Sequence, residues 1–144
     1  KLFNIVGPGL DYSGQKDGQQ TLAIKQMVRD VDLKLGIVLC STIRQADGLA
    51  MSSRNARLNA EQMKAAPVVY RSLCRTQCLW RSGQRYAGVL RQEARVILER
   101  EDIVEGVDYV SVAVPHTLDE LEAGQNTLLK DQWSLSPCDS EKCA

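Results

Sequence analysis

The sequence predicts an α/β fold, and three observations carry that prediction. Leu10–Ser13 reads as a short strand ending at Gly14, and Leu35–Cys40 as a buried parallel strand, being a short apolar run with β-branched members. Between them, from Lys16 to Asp30, apolar Ile24, Met27, Val28 and Val31 recur at the i, i+3, i+4, i+7 spacing of an amphipathic helix. The resulting strand–helix–strand order is a βαβ unit, whose ligands gather outside the carboxyl ends of the strands.

The remaining elements follow in order. Leu2–Val6 has a strand's composition and ends at the Gly7-Pro-Gly9 break. Asn59, with Gln62 three residues later, reads as a helix N-cap with its reciprocal partner. The helix it opens places Met63, Ala66, Val69, Tyr70 and Leu73 on one face, and Pro67 should kink it or mark its first turns. A second helix, about Ser82 to Glu99, carries Tyr86, Val89, Leu90, Ile97 and Leu98. Gly106 introduces Val107–Val114, the best strand candidate of the second half, and Thr117 is expected to cap a short helix through Leu121. After Glu122, Gly124, Asn126, Ser134, Ser136, Pro137 and Asp139 interrupt any periodicity, so 123–144 is expected to be a mostly irregular tail. There are no internal repeats.

Composition narrows the function classes. The chain of 144 residues is 44% hydrophobic and 25% charged, ordinary for a soluble globular protein. Lys plus Arg and Asp plus Glu balance at 18 each, which argues against a nucleic-acid or anionic-membrane partner. No apolar run approaches the ~20 residues of a membrane span, and no signal peptide is visible. Five cysteines at irregular spacing argue against a disulfide framework and for a reducing cytoplasm. Cys74 and Cys78, at i, i+4 on a helix, form half of a metal site at most; with His116 as the lone histidine, core packing is the better reading. Neither Trp80 nor Trp133 has aromatic neighbours in sequence, so no base-stacking platform is indicated. The chain opens without Met inside an apolar stretch, which leads us to expect a fragment or processed product.

Two segments carry chemistry. In Gly14-Gln-Lys-Asp-Gly-Gln-Gln20 a glycine precedes a helix start that holds Lys16 and Asp17, with Gln20 one turn beyond Lys16 on the same face. Free backbone N–H groups at such a start attract anions, and Lys16 adds a cation where one is otherwise mildly unfavourable. In Asp47-Gly-Leu-Ala-Met-Ser-Ser-Arg-Asn55 two hydroxyls and a guanidinium stand side by side after a loosening glycine. Arginine matches phosphate oxygens bidentately and hydroxyls fill the remaining acceptors, so this is a grip for polyphosphate. Taken singly, each segment also reads blandly: Lys16 as a solvated lysine, Asp17 as favourable helix-start charge, Gln20 as surface, Ser52–Arg54 as a polar loop. Their order, separated by one strand, is what makes them specific.

GQKDGQQ followed by TIRQADGLAMSSRN resembles the C-terminal half of the pantoate–β-alanine ligases. The similarity runs from about Lys1 to Glu122 and is close through Arg57. It implies that Leu2–Val6 ends a helix, that 1–57 is the trailing part of a Rossmann-like nucleotidyltransferase domain (the HIGH superfamily), and that 58–122 is a small, truncated C-terminal α+β domain. MSSRN is similar to the KMSKS loop of that superfamily and of class I aminoacyl-tRNA synthetases. By resemblance, Gly14, Gln15, Lys16 and Asp17 contact ATP, and Ile43 meets adenine through its backbone. Met51, Ser52, Ser53 and Arg54 would form the mobile ATP-binding segment, and Gln20 would hydrogen-bond pantoate. Lys16, Ser52, Ser53 and Arg54 would stabilise charge on the triphosphate as the pantoate carboxylate attacks the α-phosphorus, with no protein nucleophile and no protein metal ligands.

The resemblance further implies ATP with Mg2+, the substrates pantoate and β-alanine, a homodimer and a cytoplasmic setting. The family's HxGH segment, whose histidines bind nucleotide phosphates, is not in these 144 residues, so little or no turnover is expected of the chain alone. A non-catalytic nucleotide-binding or dimerisation fragment is the alternative. A tRNA-synthetase-like adenylating enzyme shares the MSSRN logic but not GxKDxQQ. The chain departs from the family at Ser13, at Pro8-Gly9, at Ser41 and at Gln45, positions that bear on packing and loop stiffness more than on ligand identity.

Overall fold

A computed structural model describes residues 1–114, 117–125 and 127 of the chain. Its first layer is the expected βαβ unit. Helix α1 (Leu2–Val6) leads through the Gly7-Pro-Gly9 break into β1 (Leu10–Gly14), and helix α2 (Gly18–Asp30) returns the chain to β2 (Gly36–Cys40). The strands pair in parallel, Leu10 opposite Gly36 through to Gly14 opposite Cys40. Parallel pairing requires the crossover that α2 supplies. Val28 and Thr21 are the buried residues of α2. By contrast Leu10, Tyr12, Val31 and Leu39 are exposed, as are Leu2, Ile5 and Val6 of α1. A two-stranded parallel sheet covered on little of its surface is therefore what these residues build.

The second part is helical. Asn59 caps α3 (Ala60–Ala65) with a full capping box: its side chain accepts from the Gln62 amide at 2.8 Å, and the Gln62 side chain accepts from the Asn59 amide at 3.0 Å. Pro67 ends this short helix and becomes the N-cap of α4 (Val68–Arg81), so it divides two helices instead of kinking one. Lacking an N–H, proline is tolerated at a helix start and not in its interior. The second expected helix begins later than its periodicity implied, as α5 (Ala87–Glu99). Gly83, at φ 104°, stops α4, and the chain turns through Gln84 and Arg85 before helical geometry resumes.

Helices α4 and α5 pack against each other. Ala87 and Leu90 of α5 join Val112 in the core, with Leu79, Trp80 and Leu121 against them. Arg71–Glu101 at 2.6 Å and Arg75–Glu93 at 3.7 Å link the α4 side to α5 and its exit. Two expectations fail here. Val107–Val114 forms no strand; a single antiparallel bridge, Ala113 to Glu120, stands in its place. Apolar alternation needs a partner strand to become a ladder, and among the described residues the Glu120 segment alone bridges to it. Nor does Thr117 cap a helix: its hydroxyl accepts from the Asp119 amide at 3.3 Å in a local turn.

The 123–127 stretch holds something its composition did not suggest. The Ala87 and Gly88 amides, at the free start of α5, donate to the carbonyls of Gln125 and Ala123. The Thr127 amide and hydroxyl donate to the Arg85 carbonyl at 2.7 and 3.0 Å, and Thr127 is fully buried. The tail thus begins by capping a helix. His116, Trp133, Cys138 and Cys143 lie outside the described residues. Cys74 is buried on α4, whereas Cys78 is disulfide-bonded, a pairing the irregular cysteine spacing had argued against; sequence spacing does not report spatial approach. Among the described residues no helix is long and apolar enough to cross a membrane.

Candidate functional site

The parallel register decides where the two motif segments start. Gly14 and Cys40 are paired residues at the carboxyl ends of β1 and β2, so both following segments leave the same edge of the sheet. Gln15, Lys16 and Asp17 form a 3-10 turn directly after Gly14. The helix proper begins at Gly18, so Lys16 lies ahead of α2 and not in its first turn, and Gln20 is not one α-helical turn beyond it. The turn is held from behind: the buried Thr21 hydroxyl lies 3.3 Å from the carbonyls of both Gly14 and Asp17. Lys16, Asp17 and Gln20 are exposed to solvent.

The second segment is a compact hairpin. Arg44 and Ala50 form an antiparallel bridge. The Met51 amide donates to the Ile43 carbonyl at 2.9 Å, the Gln45 amide to Leu49 at 2.8 Å and the Gly48 amide to Gln45 at 2.9 Å. Asp47 closes the tip, its carboxylate accepting from the Leu49 amide at 2.9 Å. Gly48 has φ 95°, and a Cβ there would meet the Tyr70 ring at 2.1 Å. After the hairpin, Ser53–Arg57 is a 3-10 helix whose N-cap, Ser52, accepts from the Arg54 amide at 3.2 Å. The Asn55 side chain ties this turn back to the Ala50 carbonyl at 3.0 Å. Ile43 and Met51 stand exposed, together with Ser53 and Arg54, while Ser52 is half-buried.

Chemically, this arrangement offers cations and hydroxyl donors to an anion. Among the described residues, neither Lys16 nor Arg54 has an ion-pair partner, so both charges face outward. Because the Ser52 oxygen accepts from Arg54, its own O–H remains available as a donor. Among the described residues no hydrogen bond joins Lys16 to Ser52, Ser53 or Arg54. No group of three or more His, Cys, Asp or Glu is placed to hold a metal ion among those residues.

The matches to known proteins fall on this same stretch. Residues 1–135 match the family model described as pantoate-beta-alanine ligase. The chain belongs to the pantoate-beta-alanine ligase family. It is 52% identical over 121 residues to the pantothenate synthetase of Herpetosiphon aurantiacus, covering 84% of the chain and 44% of that protein. It is 52% identical over 122 residues to the pantothenate synthetase of Chloroflexus aurantiacus J-10-fl, covering 85% and 43%. In structure it is similar to the pantothenate synthetase of Thermus thermophilus, with a TM-score of 0.77 at 35% identity, covering 86% of this chain and 44% of that one. The chain therefore spans somewhat under half the length of these relatives of the ligase family.

A second feature of this ligase-family chain was not legible in its motifs. The Arg44 guanidinium stacks over the Tyr70 ring of α4, 4.2 Å from its centre, and donates to the Gly48 carbonyl at 3.1 Å. The only sequence signal was the Asp47-Gly48 turn pair beside an arginine. Behind this contact, Ala46, Asp47, Tyr70, Arg75, Glu93 and Arg100 help to line a cleft of about 760 Å³, which includes none of Lys16, Ser52, Ser53 or Arg54.

Proposed function

We propose that this chain supplies one part of the ATP site of an enzyme that joins pantoate to β-alanine. The observation that carries the reading is the Gly14–Cys40 register, which launches the Lys16 turn and the hairpin leading to Ser52–Arg54 from one sheet edge. In this reading 1–57 is the trailing part of a Rossmann-like domain and 58–122 a small C-terminal domain. The reaction runs in two steps. The pantoate carboxylate attacks the α-phosphorus of MgATP, forming a mixed anhydride with AMP and releasing pyrophosphate. The β-alanine amine then attacks the activated carbonyl, forming the amide and releasing AMP.

Within that scheme the chain's residues bind and orient; none acts as a nucleophile. Lys16 and the Arg54 fork meet the growing negative charge on the phosphate oxygens, and the Ser52 and Ser53 hydroxyls donate to oxygens the cations leave unfilled. The backbone of Gly14, Gln15 and Asp17 shapes the turn around the phosphates, Ile43 meets the adenine through its backbone, Met51 belongs to the mobile ATP-binding segment, and Gln20 hydrogen-bonds pantoate. Magnesium enters with the nucleotide, as its preference for phosphate oxygens over all-protein cages favours. The whole enzyme works as a cytoplasmic homodimer. Losing one charged or hydroxyl donor of this kind typically costs about 3 kcal/mol in the transition state.

Calorimetric titration of MgATP into the 144-residue chain, with Lys16→Ala beside it, tests the reading. Binding that the substitution weakens is the expected outcome. No binding to a folded chain, or binding indifferent to Lys16, would sink the assignment of this turn. We also expect little or no pantothenate formation by the chain alone, since no HxGH segment is among its residues. Activity should return when a separately expressed segment carrying that motif is added.

A further inference from the structure

We propose that Arg44 and Tyr70 are positioning residues whose stack clamps the Ile43–Met51 hairpin to α4 and so fixes where Ser52, Ser53 and Arg54 meet a nucleotide's phosphates. This rests on the reading of that segment as a phosphate grip. The Arg44 guanidinium is drawn out of water far enough that its Nε is buried and makes no hydrogen bond among the described residues. A half-buried arginine with an unmet donor is unfavourable unless its remaining contacts compensate.

Here they do, at two points on different elements. The guanidinium face lies 4.2 Å from the Tyr70 ring centre, within cation–π range, and Nη1 reaches the Gly48 carbonyl at the hairpin tip. Gly48 lets the tip lie flat on the same ring, since any Cβ there would overlap it. Tyr70 therefore touches the base of the hairpin through Arg44 and its tip through Gly48. From the hairpin the constraint passes to the grip through short links. Met51 bonds back to Ile43, and Asn55 bonds back to Ala50, the bridge partner of Arg44. Among the described residues no hydrogen bond or ion pair ties Ser53 or Arg54 to α4, so apart from the chain's own continuity the clamp on the hairpin is what relates them to that helix.

The test uses the full 144-residue chain with Tyr70→Leu, Tyr70→Phe, Arg44→Met and Lys16→Ala. Amide hydrogen exchange is read across 43–54, and MgATP affinity by calorimetry, after circular dichroism has shown each variant folded. Tyr70→Leu and Arg44→Met should speed exchange at Gln45, Gly48 and Met51 about tenfold, the scale of a desolvated cation–π contact, and weaken MgATP about fivefold or more. Tyr70→Phe keeps the ring face and should disturb both measures less than Tyr70→Leu does. Unchanged hairpin exchange in Tyr70→Leu would overturn the clamp. Faster exchange with unaltered MgATP affinity, in a chain where Lys16→Ala does weaken binding, would overturn the positioning role while leaving the nucleotide site in place. If the unaltered chain binds no MgATP, the nucleotide reading fails and the exchange arm alone decides the clamp. Should Tyr70→Leu not fold, Arg44→Met carries the same test without touching α4.

Discussion

Replacing Gly48 with alanine is the perturbation that the hairpin geometry constrains most sharply. Two penalties add. At φ 95° an L-residue is held in a region it rarely enters, and the new Cβ would sit 2.1 Å from Cδ1 and 2.8 Å from Cε1 of Tyr70. The backbone term is about 1–2 kcal/mol, and forcing the ring aside adds an overpacking cost of about 1–3 kcal/mol. A loss of about 2–5 kcal/mol is therefore expected, against a total stability of about 5–15 kcal/mol for an ordinary domain. With a mid-range urea slope of about 2 kcal/mol per M, the unfolding midpoint should fall by about 1–2.5 M.

Equilibrium urea unfolding followed by circular dichroism measures that shift, with two comparisons. Gly106→Ala has open space around the added Cβ and no left-handed backbone, so it should be neutral or stabilising by up to about 1 kcal/mol. In a Tyr70→Leu background the ring penalty disappears, so the cost of Gly48→Ala should shrink to the backbone term of about 1–2 kcal/mol. A midpoint change under about 0.3 M at constant slope, or an equal cost with and without the ring, would mean that the Gly48–Tyr70 contact does not limit residue 48.

Two further outcomes rest on named contacts. Asn59→Ala removes one half of the α3 capping box and should destabilise the chain by about 0.5–2 kcal/mol in the same urea assay. For Glu120, burial works to raise the pKa, but hydrogen bonds from Ser111, the Val112 amide and Arg91, with the Arg91 charge, outweigh it and hold the carboxyl below its ordinary value. A lowered folded-state pKa contributes stability that is present above the unfolded pKa and disappears as pH falls through the folded one. The Glu120→Gln penalty should therefore be seen at neutral pH and vanish in acid below the usual glutamate range. It should remain under about 1 kcal/mol because the side chain is half-exposed and screened. A penalty that grows on acidification would contradict the assignment.

What could be read from the residues and what could not divide along a physical line. The βαβ unit was legible because Ile24, Met27, Val28 and Val31 mark one helical face, with a short strand ending at Gly14 before it and a short apolar run with β-branched members after it. The Asn59–Gln62 cap was legible because capping is local, fixed by two side chains three residues apart. Val107–Val114 misled because a strand is a relation between two segments, and apolar alternation describes only one of them. The late start of α5 depended on Gly83 adopting positive φ, which composition permits but does not require. In the site, both motif segments were visible as text. The Arg44–Tyr70 stack was not, since its partners lie on a hairpin and a helix that only the fold brings together.

The start of α5 has an implication for how this chain can vary. Among the described residues, three of the four hydrogen bonds that join 85–88 to the 123–127 stretch run from main-chain amide to main-chain carbonyl, and the fourth needs no more than the Thr127 hydroxyl. Main-chain bonds do not record which side chains carry them. Most of this stretch can therefore drift in letters while keeping its place, provided Thr127 stays small and polar and residue 123 leaves room for Gly88, whose Cβ position lies 2.9 Å from that of Ala123. An irregular, unmemorable string of residues can thus be a structural constant, recognisable by the path of its backbone and not by its spelling.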